Sequence, residues 1–243
     1  MSSSIRVDVE GWNEIEEALS SPFVSVHQFR CSKRDAAKAR DLMATYKCSL
    51  KKLLIEEGPP TRSNQQKRVR ASVLTIELSL FRSLNEWRHN SPKGSHRSLA
   101  LALDQIQDPQ NLGALIRSAH FFGAEFVMFT KDRSCPVTSS VVRASAGAIF
   151  SLGLLEVPNL AREIDAVRKE GSYILGLDAS SKQVLPASSY VRDSVLLIVG
   201  SEGDGLRHLT KKKCDFLYAL TEKAGRDSLN ASVAGAIALF QLS

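Results

Sequence analysis

Three short segments carry side chains whose types and spacing could do chemistry. The first, Asp108-Pro-Gln-Asn111-Leu-Gly113-Ala-Leu-Ile-Arg117, sets an arginine six residues after an asparagine, where a helix should begin. Asn111 reads as the N-cap of that helix, and Gly113 permits close approach of another backbone or a ligand. Arg117 falls off the apolar helix face, where it either acts on a substrate or is a solvated charge. The second, Val199-Gly200-Ser201-Glu202-Gly203-Asp204-Gly205-Leu206, holds three glycines directly after an apolar run. It is neither GxGxxG nor a P-loop. Its acids, Glu202 and Asp204, would repel a phosphate and suit a ligand with positive charge or hydroxyl donors. A plain turn before a helix would leave the same trace. The third, Asp227-Ser228-Leu229-Asn230-Ala231-Ser232-Val233-Ala234, opens the last helix. Ser228 reads as its cap, worth about 1 kcal/mol. Asn230 and Ser232 are poor helix formers in the first turns, which suggests a second task. Ala231, Ala234, Gly235 and Ala236 would let this helix approach something closely, such as a second copy of the chain.

For these side chains to meet, the elements before them must end side by side. Leu99 to Leu103 and Val195 to Val199 are short apolar runs that read as buried strands, and Phe216 to Leu220 is a third. Between them come a helix from Leu112 to Phe122 stopped by Gly123, a strand at Phe126 to Phe129 and a helix near Ser139 to Ile149. A helix from Leu160 to Lys169, capped by Asn159 and stopped by Gly171, and a strand at Tyr173 to Leu177 follow. The chain closes on a helix from Leu229 to Leu242. Such alternation predicts an α/β fold with a parallel sheet covered on both faces, its ligands at the carboxyl ends of the strands.

The first 80 residues read as a smaller α/β module. Trp12 to Leu19 has helical spacing, Phe23 to Phe29 alternates like a strand, and Ser32 with Asp35 caps a helix running to about Tyr46. Cys48 to Ile55 is a further strand, ended by Gly58-Pro59-Pro60, and Val69 to Leu80 is extended. Between Thr61 and Ser98 lie Arg62, Lys67, Arg68, Arg70, Arg82, Arg88, Lys93 and Arg97, against Glu77 and Glu86 alone. This is either a solvated linker or a phosphate-contacting surface. The chain of 243 residues carries 32 Lys and Arg against 26 Asp and Glu, and the net +6 favours a polyanionic partner. With 43% hydrophobic and 24% charged residues, wholesale disorder is excluded. No apolar run approaches the roughly 18 residues of a membrane span. Cys31, Cys48, Cys135 and Cys214 form no CxxC pair, so reduced structural thiols and no metal are expected. The N-terminus lacks the apolar core of a secretory signal and is acidic for a mitochondrial presequence. A cytoplasmic location is expected, with a mitochondrial one as the alternative.

Taken together, the strings DPQNLGALIRSA, IVGSEGDGL and SLNASVAGAI resemble the three motifs of SpoU-type (TrmH-like) 2′-O-ribose RNA methyltransferases, of the trefoil-knotted SPOUT class. The resemblance covers about residues 99–243. The segment SCPVTSSVVRASAGAIF is similar to the branch acting on guanosine in ribosomal RNA. Gly11, Glu17-Ala18-Leu19 and Gln66 to Ala71 resemble the family's L30e-like module. The sequence departs at Thr221-Glu222, where the family usually has Pro-Met, and at Ala231, where Val is common.

The resemblance implies an L30e-like RNA-binding module over 1–80, a basic linker over 81–98 and a knotted methyltransferase domain over 99–243. It implies S-adenosyl-L-methionine as cofactor, with Gly200, Leu220, Leu229, Leu177, Ser201 and Gly205 binding it. Arg117 would be the catalytic arginine, as base or as orienter of the hydroxyl and a phosphate, supported by Asn111, Glu202, Ser228 and Asn230. The partners implied are RNA, most readily large-subunit rRNA, and a second copy of the chain in a homodimer. Transfer RNA as substrate, or a non-catalytic ribosome-assembly factor keeping the fold, are the alternatives.

Overall fold

The computed structural model describes residues 3–56, 72–90, 97–187, 189–221 and 229–243. Two sheets organise them. The N-terminal one uses β1 (Ser3–Glu10), α1 (Trp12–Ser20), β2 (Val24–Ser32), α2 (Ala36–Thr45), β3 (Leu53–Glu56) and β4 (Ser72–Leu80). Its strand order is β1-β4-β2-β3, with β4 antiparallel to β1 and β2, and β3 parallel to β2. Burial alternates along β4: Leu74, Ile76, Leu78 and Leu80 face the core while Thr75 and Glu77 lie on the other side. This is the pattern of a sheet with one face covered.

After α3 (Leu84–Asn90) the chain builds a parallel sheet. Its elements are β5 (Leu99–Asp104), α4 (Pro109–Phe121), β6 (Phe126–Thr130), α5 (Ser139–Ala144), β7 (Gly153–Val157) and α6 (Leu160–Lys169). Then come β8 (Tyr173–Leu177), β9 (Val195–Gly200), α7 (His208–Lys213), β10 (Phe216–Tyr218) and α8 (Ala231–Leu242). The strand order is β10-β8-β9-β5-β6-β7, and every pairing is parallel. All six residues of β5 and of β9 are buried, because helices lie on both faces. The α/β class with a parallel sheet is therefore as read from the sequence.

The two sheets meet along a packed seam. Phe81, just beyond β4, bridges Leu155 of β7 and donates its N–H to Leu154 O at 2.9 Å. Ser21 Oγ donates to Phe150 O at 2.6 Å, and one apolar cluster runs from Val7 and Ile15 through to Phe150 and Leu239. Beside this seam Trp87 lies against Gly153, where a Cβ would stand 2.1 Å from its Nε1.

Several expectations need correction. The alternation of Ile5, Val7 and Val9 forms β1, ahead of the first element expected from sequence. The strand expected over Cys48 to Ile55 begins with a 3-10 turn at Leu50–Lys52 and is extended only over Leu53–Glu56. The helix near Ser139 ends at Ala144, because Ala146 and Gly147 take φ of 49° and 84°, and β7 follows unforeseen. The stretch read as a linker contains α3, anchored by buried Leu84 and Trp87. Two of its basic side chains are used internally. Arg88 pairs with Glu125 at 3.0 Å and Glu170 at 2.9 Å, and Arg97 donates to the Asp193 and Leu242 carbonyls. Arg62, Lys67, Arg68, Arg70, Lys93 and the Gln66–Ala71 string lie outside the described residues.

Candidate functional site

A cavity of about 560 Å³ opens at the carboxyl ends of β8, β9 and β10. Its walls are the loops that follow those strands and the start of α8. The β9 loop turns tightly on itself: Gly205 N donates to Ser201 O at 3.0 Å, and Gly203 and Gly205 take φ of 87° and 66°. A Cβ on Gly200 would stand 2.2 Å from the Gly205 carbonyl carbon, so only glycine lets the loop fold back over the strand end. Leu177, Gly200, Ser201, Gly205, Leu220 and Leu229 all line the cavity.

Beside this cavity the three segments are joined by hydrogen bonds. Asn111 Nδ2 donates to Glu202 Oε1 at 3.3 Å, and Asn230 Nδ2 donates to Asn111 Oδ1 at 3.0 Å and also to Glu202 Oε1. Ala231 N donates to the same carboxylate oxygen at 3.3 Å. Glu202 is thus held at the N-terminus of α8, where the helix dipole favours an anion.

The capping roles differ from those expected. Asp108 caps α4, accepting from Gln110 N at 3.2 Å, and Asn111 is buried inside the first turn. Asn230 caps α8, its Oδ1 accepting from Ser232 N at 2.9 Å and Val233 N at 3.4 Å. Ser228 lies outside the described residues. Two of the four small residues of α8 turn inward, since a Cβ on Gly235 would meet Leu115 Cδ2 of α4 at 2.3 Å and Ala231 is buried, while Ala234 and Ala236 are half-buried. The face left exposed is large and apolar, with Phe240 at 67% and Phe121 of α4 at 81% exposure, joined by Val233 and Ile237.

Arg117 stands apart. It is exposed on α4, lines no part of the cavity, and bonds to no group among the described residues. The structure therefore joins Asn111, Glu202 and Asn230, gathers the six cofactor-binding candidates, and leaves Arg117 outside that cluster within one chain.

Two ion pairs escaped the sequence reading. Asp104, fully buried at the end of β5 and paired in register with Gly200, accepts from Arg207 N at 3.0 Å and Arg207 Nε at 2.6 Å. It pins the far end of the β9 loop. Asp178, just after β8, pairs with Lys211 Nζ at 2.7 Å, and its other oxygen accepts from Ser180 N and Oγ. Burial works to raise the Asp178 pKa, but the bonds from Lys211 and Ser180 prevail and hold it below the ordinary carboxylate value. Both aspartates end apolar strand strings, a signal available in the sequence. All four cysteines are free thiols, and burial raises the pKa of each, that of Cys214 to about 12. Among the described residues no group of three metal-ligating side chains assembles, and no helix is long and apolar enough to cross a membrane.

Comparison with known proteins places this geometry. The SpoU rRNA Methylase family profile matches residues 98–240. Over 145 residues the chain is 40% identical to the 23S rRNA (guanosine-2′-O-)-methyltransferase RlmB of Coxiella burnetii, covering 60% of this chain and 58% of that protein. It is 35% identical over 169 residues to the RlmB of Vibrio cholerae, covering 69% and 68% of the two chains. The chain thus spans about six tenths of the length of the first of these relatives. Among solved structures, the SpoU methyltransferase AviRb of Streptomyces viridochromogenes, in complex with AdoMet, superposes with a TM-score of 0.80 at 21% identity over 98% of this chain and 89% of that one. The chain belongs to the SpoU rRNA methylase family.

Proposed function

We propose that the protein is an S-adenosylmethionine-dependent methyltransferase that modifies the ribose 2′-hydroxyl of a guanosine in large-subunit ribosomal RNA. The observation that carries this reading is the bonded network of Asn111, Glu202 and Asn230, one residue from each motif, at the mouth of a single cavity. A volume of about 560 Å³ suits a nucleoside-sized ligand. Its lining acids, Asp178, Glu202 and Asp204, suit a cationic one. When bound, S-adenosylmethionine supplies an electrophilic methyl on a sulfonium.

The chain's own residues have three tasks. Gly200, Ser201, Gly205, Leu177, Leu220 and Leu229 offer backbone and apolar contacts to the cofactor. Glu202, fixed by two side-chain amides and a backbone N–H, holds the mouth of the cavity rigid. Arg117 positions the acceptor: a guanidinium stays protonated and donates, so it orients the hydroxyl and its flanking phosphate. Its exposure, and its absence from the cavity lining, favour a homodimer in which Arg117 serves cofactor bound by the other copy. The apolar stripe of Phe121, Val233, Ile237 and Phe240 is the surface that such a pairing would cover. In this reading residues 1–80 bind the RNA. Exposed Lys33, Arg34, Lys38, Arg40 and Lys47 on α2 and its flanks supply cationic contacts.

The names of the curated relatives favour rRNA over transfer RNA. Incubating the protein with methyl-labelled cofactor and a large-subunit rRNA transcript, followed by nuclease digestion, tests the reading. Label in 2′-O-methylguanosine is expected. Label in no nucleoside of that transcript, with or without label in transfer RNA incubated in parallel, would overturn it.

A further inference from the structure

We infer that Lys211 is the residue that recognises the ligand's carboxylate in the β8–β9–β10 cavity. The inference rests on the reading of that cavity as the S-adenosylmethionine site.

Charge in the lining is lopsided. Asp178, Glu202 and Asp204 are acidic, and Lys211 is the one basic residue among those described there. S-adenosylmethionine mirrors this, with a sulfonium and an ammonium against one carboxylate. Glu202 accepts from Asn111, Asn230 and Ala231 N on one oxygen, Oε1, and both oxygens of Asp178 are taken, by Lys211 and Ser180. The cation is differently placed. An ammonium has three donors, and Asp178 takes one at 2.7 Å, which leaves two for the cavity.

The neighbours of Lys211 in the Lys211-Lys212-Lys213 run do other things. Lys213 pairs with Asp165 on α6, and Lys212 is exposed and lines no part of the cavity. Asp178 is itself fixed, since its own N–H donates to Tyr218 O at 2.9 Å and its second oxygen is taken by Ser180. Asp178 is therefore a platform that aims Lys211, which is about one third exposed and so partly desolvated. A charge-assisted bond in such a setting contributes about 1.5–3 kcal/mol, or roughly 10–100-fold in affinity.

The test is calorimetric titration of the full chain and of Lys211→Met with two ligands, S-adenosylmethionine and its decarboxylated analogue. The wild-type chain should bind the carboxylate-bearing ligand about 10–100-fold more tightly. Lys211→Met should bring the two affinities within a few-fold of each other, by weakening the first and sparing the second. Because that variant strands Asp178, the double variant Asp178→Asn/Lys211→Met is titrated beside it, with folding followed by circular dichroism, and should give the same collapse. Equal weakening of both ligands would make Lys211 a structural tie and overturn the inference, as would discrimination that persists in the variants. Failure of the wild type to bind either ligand would overturn the cofactor reading and this inference with it. Binding of both with equal affinity would overturn the inference alone.

Discussion

The two sheets do different work because they are covered differently. β5 and β9 are buried on both faces, so nothing on their flanks is free to bind, and chemistry is confined to the strand ends. Asp104 and Gly200 stand opposite each other at those ends and lead into two of the three motif segments. In the N-terminal sheet β1 and β4 alternate, burying Val7, Val9, Leu74 and Ile76 and keeping Arg6, Asp8 and Thr75 on the other face. Such a sheet offers a surface and no cavity mouth. A concavity lies instead between α1, β2 and the Tyr46–Lys52 turn. The parallel sheet thus concentrates a cavity at one rim, and the mixed sheet spreads polar side chains over a surface.

If that division holds, damage to the two regions will separate by readout. Arg117→Ala should lower methyl transfer by about 10³-fold or more, as for loss of a group that acts in the transition state, while cofactor binding and the wild-type oligomeric state persist. Circular dichroism would expose a merely structural arginine through loss of the fold. Glu202→Ala removes the acceptor shared by Asn111, Asn230 and Ala231 N, and about 10–100-fold in cofactor affinity should go with it. Calorimetry of this variant against wild type reads the effect directly.

The seam between the sheets should respond in stability. Gly153→Ala would drive a methyl into the Trp87 indole and cost about 1–3 kcal/mol by thermal melting, with the cavity intact. An unchanged melting temperature would mean that Trp87 swings aside freely. Reversing Arg68 and Arg70 should weaken RNA binding and flatten its salt dependence, by somewhat less than one slope unit for each phosphate no longer neutralised. An unaltered slope would return that stretch to the role of a linker. The smallest effect concerns pH. Asp178 has its folded pKa below the ordinary value of 3.8, so the stability its pairing adds is fully present above that value. It is lost as pH falls through the lowered pKa. Wild type and Lys211→Met should therefore differ in melting temperature at pH 7 and converge in strong acid.

Much of the parallel sheet was legible because its strands are uninterrupted apolar strings such as Leu99 to Leu103 and Val195 to Val199, followed by turn residues. The convergence of the motif segments followed from the rule that α/β sheets bind at strand ends. The hydrogen-bond roles were not legible. Asn111 and Asn230 are equally good caps by residue type, and only the register of Asp108 and the start of α8 decide that one is buried and the other caps. β7 was hidden because Gly153–Val157 follows an apolar run in Ala148–Phe150 with no charged break to mark a change of element. α3 was hidden because its charged residues look like a linker until Trp87 is seen against Gly153. Strand order, which sets Asp104 beside Gly200, is decided by tertiary packing that leaves no local trace. The close approach of Gly235 of α8 to Leu115 is of the same kind.

The most direct measurement is titration of the full chain with S-adenosylmethionine, for wild type and for Gly200→Val, whose side chain must collide with the Gly205 backbone. Saturable one-to-one binding by the wild type, abolished or strongly weakened in a variant that still folds, is the expected result. Absence of binding at millimolar cofactor, or equal binding by both proteins, would contradict the assignment of this cavity.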